Sequence, residues 1–105
     1  MRIEIYQERS GHQPFVEWLY SLKDVRTQAR IESRARRLSL DNWGDHRNLG
    51  GGIVELRLDF GPGYRVYCSR VGDATVILLA GGDKSSQRRD IDKARRYLTD
   101  YRERT

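Results

Sequence analysis

Hydrophobic and polar positions alternate along this chain with two periods in turn, and the changes of period mark its elements. From Arg2 to Tyr6, Ile3 and Ile5 fall on one side with polar residues between them, the repeat of a strand. Pro14 suits the first turn of a helix, where a missing N–H costs no hydrogen bond. Phe15, Trp18, Leu19 and Leu22 follow at helical spacing. Asp24 is a candidate N-cap for a second helix running to about Leu40, with Val25, Ala29 or Ile31, Ala35 and Leu38 as a sparse apolar stripe. Asp41 to Gly52, ending in consecutive glycines, reads as a loop.

A meander is predicted next. In Ile53 to Phe60, Val54, Leu56, Leu58 and Phe60 share one face, leaving Glu55, Arg57 and Asp59 on the other. Gly61-Pro62-Gly63 reads as a turn that pairs Phe60 with Tyr64 and opens a strand to Arg70. Gly72-Asp73 fits a two-residue type II′ hairpin. Ala74 to Ala80, apolar apart from Thr75, suits a strand covered on both faces, and Gly81 and Gly82 read as its end. The last helix starts near Ser86, with Ile91, Ala94, Leu98 and Tyr101 on one stripe. The expected fold class is α+β in the order β-α-α-β-β-β-α. Residues 1–105 form a single domain: an antiparallel sheet, two N-terminal helices packed on it, and a C-terminal helix.

That register sets Asp59 opposite Arg65, Arg57 opposite Tyr67 and Glu55 opposite Ser69, gathering arginines, carboxylates and a tyrosine on one sheet face. Such a face is either solvated, with ion pairs of little worth, or a site. A slip of one residue would disperse it.

Composition adds a partner. The chain has 105 residues and a net charge of +5, and 33 % of its residues are charged. Of the 20 basic residues, 17 are arginine and 3 lysine. Guanidinium grips phosphate or carboxylate with two hydrogen bonds where lysine offers a point charge, so RNA, DNA or an acidic protein segment is expected. Arg26, Arg30, Arg34 and Arg37 follow helical spacing, forming a stripe suited to phosphates or simply to solvent. Cys68 stands alone, which excludes an internal disulfide and a cysteine metal cluster. No metal or cofactor is expected. The alternating start is unlike a signal peptide, and no stretch has the length of a membrane span. A cytoplasmic protein without membrane contact is therefore expected.

Three segments carry a family resemblance: Glu55-Leu56-Arg57, then Gly61-Pro-Gly-Tyr-Arg65-Val-Tyr67, then Gly81-Gly-Asp-Lys84-Ser-Ser-Gln87-Arg88-Arg89-Asp90-Ile91. Together with Pro14-Phe15 and Trp18-Leu19, they resemble the HigB-like, phage-derived "addiction module killer" branch of the RelE/ParE superfamily. The resemblance implies a RelE-like fold and a toxin of a type II toxin–antitoxin system that inhibits translation. Such a toxin is a ribosome-dependent, metal-independent endoribonuclease. The ribose 2′-OH of mRNA attacks the neighbouring phosphorus, leaving a 2′,3′-cyclic phosphate. The implied partners are a cognate antitoxin of helix-turn-helix type encoded alongside, the ribosome and mRNA, with operator DNA reached only through the antitoxin complex.

By the same resemblance Arg57, Arg65 and Lys84 are catalytic candidates. Preorganised cations stabilise a phosphorane-like transition state more than the substrate. Asp90 lies near the place of a helix tyrosine or histidine that is missing here, and Glu55 stands where a second basic residue is implied. Asp90, Glu55 and His46 are all open as the general base; His12 and His46 fall in predicted loops. Arg26, Arg30, Arg34, Arg37, Tyr67, Arg88 and Arg89 are the RNA-binding candidates. The alternatives are a ParE-like inhibitor of DNA gyrase without nuclease chemistry, and a non-catalytic nucleic-acid-binding domain.

Overall fold

A computed structural model describes residues 1–105. The elements are β1 (Arg2–Ile5), α1 (Pro14–Ser21) and α2 (Val25–Arg36), which tightens into a 3₁₀ turn over Arg37–Leu40. They continue with β2 (His46–Gly50), β3 (Ile53–Leu58), β4 (Tyr64–Arg70) and β5 (Thr75–Asp83), a 3₁₀ turn over Lys84–Ser86, and α3 (Gln87–Arg104). Pro14 begins α1. Asp24 caps α2 by accepting from the Arg26 N–H at 3.1 Å. The turn after α2 ends where Asp41 adopts a left-handed φ of 58°.

The fold is α+β: a five-stranded sheet in the order β1-β5-β4-β3-β2 and three helices, the last C-terminal. Two expectations are corrected. The sheet is mixed, because β1 pairs with β5 in parallel. The segment expected as a loop contains β2, an edge strand that pairs with β3 through a bulge between Asn48 and Gly50. Only Leu49 of its five residues is even half-buried, so β2 has no apolar alternation to betray it. The hairpin after β4 is also longer than expected: Val71 N–H bonds to Thr75 C=O at 2.8 Å, closing around Gly72, Asp73 and Ala74.

The sheet is covered on both faces. On one, Phe15 and Leu19 of α1 and Ile31 and Ala35 of α2 pack on Leu56, Leu58, Val66, Cys68 and Leu78. On the other, Ala94 and Leu98 of α3 pack on Ile53, Tyr67, Ile77 and Leu79. Burial of the Leu, Ile, Val and Phe side chains among these contributes roughly 1.5–3 kcal/mol each before entropy is counted. Gly81 and Gly82 lie inside β5 rather than ending it. A Cβ at Gly81 would overlap the Trp18 ring, and one at Gly82 would overlap the Asp90 carboxylate. Both positions are glycine because α1 and α3 close on the strand from opposite sides.

Candidate functional site

The loop between β3 and β4 spans Asp59 to Gly63, closed by the Gly63 N–H donating to Phe60 C=O at 3.1 Å. Gly61 and Gly63 take left-handed φ values of 56° and 80°. The longer loop moves the register by two residues from the expected one. Arg57 is opposite Arg65 and Glu55 opposite Tyr67, while Asp59 drops out of the ladder. The expected pairs Asp59–Arg65, Arg57–Tyr67 and Glu55–Ser69 are therefore corrected. A shift of two preserves side-chain parity, so Glu55, Arg57, Arg65, Tyr67 and Ser69 still share one face. β2 adds Arg47 opposite Glu55, and Arg57 N–H donates to Asp45 C=O at 2.9 Å.

This polar face is not solvated. Glu55 is 1 % exposed, Arg65 2 %, Tyr67 and Ser69 0 %, because α3 lies over them. Arg65 donates from one terminal nitrogen to Tyr64 C=O at 3.0 Å, and its Nε stands 4.0 Å from Glu55 Oε1. Glu55 also accepts from Gln87 Nε2 at 2.7 Å, which ties the first residue of α3 to the middle of β3. Arg65 Nε, Tyr67 OH and Ser69 Oγ have no hydrogen-bond partner. Burial, then the charges of Glu55 and Asp90, push the Tyr67 phenol well above its ordinary range. Tyr67 and Arg65, expected to meet RNA directly, are both covered while α3 is docked. The reason is the α3 stripe, which places Ala94 and Leu98 against the same face.

Arg57 is half-buried, and its guanidinium makes no hydrogen bond or ion pair. Lys84 is exposed, its aliphatic stem running over Gly63, where a Cβ would come within 2.9 Å of Lys84 Cγ. Arg88 and Arg89 are exposed on the first turn of α3 and, with Ser85 and Arg96, line a cleft of about 380 Å³. Asp90 is 6 % exposed, and its Oδ2 accepts from Ser86 Oγ at 2.5 Å. Asp83 accepts from the Ser85 hydroxyl and N–H, and these bonds hold its carboxyl below the usual range.

The α2 arginines divide. Arg26 and Arg37 are exposed, and Arg30 lies 3.6 Å above the Phe60 ring. Arg34 turns inward, donating to the carbonyls of Arg57 (2.7 Å), Trp43 (3.0 Å) and Asp45. It holds the loop before β2 against β3 and is not available to phosphate, which corrects its place in the stripe. His46 pairs with Leu56, on the other parity from Arg57, and its Nδ1 meets Gly44 C=O at 2.8 Å. His12 bonds to Glu17 at 2.8 Å, well outside the β3–β4 pair in the fold. Neither histidine joins the arginine row. Sequence reasoning missed Arg47 and the role of Gln87: nothing in the pattern revealed β2, and only the docking of α3 gives Gln87 a partner.

No group of three or more His, Cys, Asp or Glu side chains converges as a metal set, and no helix is long and apolar enough to cross a membrane. Fold and site define a small basic α+β protein with cations gathered where β3, β4 and the start of α3 meet. No family model matches the chain. An uncharacterized protein of Haemophilus influenzae is 48 % identical over 81 residues, covering 77 % of this chain and 82 % of its own length. The chain belongs to the family of that protein.

Proposed function

We propose that the chain is a RelE/ParE-type, HigB-like toxin that cleaves translated mRNA and is held in check by a cognate antitoxin. One observation carries the reading. Arg57 and Arg65 face each other directly across β3 and β4, a like-charge pairing that disfavours folding. Glu55 forms its ion pair with Arg65, and Arg57 is left as a half-buried cation with no carboxylate at ion-pair distance, a place for an anion. The two helices after β1 and the helix at the C-terminus support a RelE-like arrangement, to which β2 is an addition.

In this reading an mRNA phosphate lies on Arg57, with Lys84, Arg88 and Arg89 reaching its neighbours. As the 2′-OH attacks, charge grows on the non-bridging oxygens, and Arg57 stabilises it. Lys84 neutralises the departing 5′ oxygen. Arg65 acts from behind, raising the positive potential at Arg57 while Glu55 holds it in place. The 2′-OH proton passes to solvent water and Lys84 supplies one to the departing 5′ oxygen, so the acceleration comes from electrostatics and from positioning on the ribosome. Primer extension on cellular mRNA after inducible expression tests the reading. Codon-phased cuts that vanish with Arg57→Ala are expected, and intact mRNA with normal growth would overturn it.

A ParE-like gyrase inhibitor is the second reading, favoured by the burial of Arg65 and Tyr67 and by Glu55 standing among the cations. It requires gyrase-linked double-strand breaks with intact mRNA.

A further inference from the structure

Between the start of α1 and the middle of α3, beside the end of β5, lies a second pocket of about 260 Å³, a little below the roughly 300–1,000 Å³ of whole-ligand sites and so of a size for one ring. Its floor is the backbone of Gly81 and Gly82, on which the Trp18 ring and the Asp90 carboxylate rest; Trp18 and Tyr97, the latter stacked on Tyr6, supply aromatic walls, and Arg89, Asp90 and Lys93 supply charge. Asp90 is the informative member. It is 94 % buried, being 6 % exposed, and Ser86 satisfies its Oδ2. Its Oδ1 accepts no hydrogen bond within the protein. That oxygen keeps access to solvent, and Asp90 borders a pocket from which a donor can reach it. Arg89 and Lys93, one residue before and three after Asp90, flank it on the helix surface. The pocket thus asks for a flat ring to lie against Trp18, N–H groups for Asp90, and an anion for the two cations. A nucleotide has all three.

We propose that this pocket binds a nucleotide base of single-stranded RNA and prefers guanine, whose ring N–H and 2-amino group together present donors to the Asp90 carboxylate. Adenine and cytosine offer an amino group beside an acceptor, which the carboxylate repels; uracil offers one N–H between two acceptors. The proposal rests on the RNA-cleaving reading above and deepens it. Gly82, on which Asp90 stands, is the β5 neighbour of Arg65, so the pocket lies one strand from that arginine. Asp90 is then a specificity-determining residue rather than the general base.

The test uses the isolated protein and 5′-mononucleotides, followed by NMR chemical-shift titration. GMP is expected to perturb the Trp18 indole N–H and the amides of Gly81, Gly82 and Asp90. It should bind about ten-fold or more tightly than IMP, which lacks the 2-amino group, as loss of one hydrogen bond to a charged acceptor implies. AMP and UMP should bind more weakly than GMP. Asp90→Asn keeps the shape and the Ser86 contact and should erase the GMP preference. Arg89→Ala, at an exposed site, should weaken GMP but not guanosine. Equal binding of GMP, IMP and AMP by the native protein, or perturbation confined to other surfaces, would overturn the proposal without reference to any variant's folding. Codon-phased cleavage in cells with no GMP binding would sink the pocket alone. GMP binding without cleavage would leave the pocket standing and remove the nuclease.

Discussion

Arg57 and Arg65 occupy directly opposed positions on β3 and β4, yet one is half-exposed and the other 2 % exposed. Their difference comes from α3, which lies over Arg65 and brings Gln87 to Glu55, while Arg57 stays at the margin nearer β2. The two arginines therefore answer different questions when they are removed.

Arg57→Ala deletes a cation with no protein partner. Cleavage should fall by about 100-fold, and the urea midpoint should hold or rise as repulsion from Arg65 is relieved. Arg65→Ala leaves Glu55, 1 % exposed, without its cation. Breaking a buried pair this way costs about 3–5 kcal/mol, much more than an exposed pair with Asp59 would. Urea unfolding of both variants beside primer extension separates the roles. Arg70, exposed and bonded only to Asp73 C=O, is the control whose replacement should alter neither.

Gly82→Ala places a methyl in the Asp90 carboxylate, and overpacking of this kind costs roughly 1–3 kcal/mol. The strain acts on one layer only. Hydrogen exchange should quicken along α3 while amides of α1 and α2 keep their protection. Equal loss in all three helices would show that α3 docking is not what the glycine serves.

The Tyr6 hydroxyl donates to Asp100 Oδ2 at 2.6 Å, joining the residue after β1 to the last turns of α3. Burial first, and this bond second, push Tyr6 up to about 12. The same bond is the main cause holding the Asp100 carboxyl below its ordinary range. Asp100, depressed in the folded state, contributes stability that is present above its unfolded value of about 3.9 and lost as pH falls through the folded value. Tyr6, raised in the folded state, contributes stability present below about 10 and lost as pH climbs towards the folded value. Urea midpoints measured across both ranges should fall at each end. In Tyr6→Phe the alkaline fall should shrink and the acid fall should weaken; unchanged slopes at both ends would contradict the coupling.

Cys68 is 0 % exposed, and burial pushes its thiol up to about 12. Since the thiolate is the reactive form, a disulfide reagent at pH 8 should leave the native protein untouched and label it once it is unfolded in urea. Rapid labelling of native protein would mean that the α1/α2 face of the sheet opens readily.

Much of the fold was legible in the chain. Pro14 and Asp24 marked the two helix starts, and Leu56, Leu58, Val66 and the α3 stripe of Ala94 and Leu98 marked the core faces, because burial on one side leaves a period. β2 left none: an edge strand exposed on both sides has no reason to alternate. The arginine row was legible in part, since parity survives a two-residue error in register. Burial of Glu55, Arg65 and Tyr67 was not legible, nor was the inward turn of Arg34.

What the sequence determined by itself is whatever depends on near neighbours: helix caps, strand parity, the basic charge, and the arginines and tyrosine brought to one side of the meander. What only the tertiary structure decided is which of those groups meets water. Charged residues normally sit outside, so the pattern suggested a solvated face. The C-terminal helix, some 20 residues further along, supplies both an apolar stripe and the Gln87 amide to that face. A long-range contact of this kind turns Arg65 into a buried ion-pair member, leaves Arg57 free, and leaves Asp90 with an unclaimed oxygen beside a pocket.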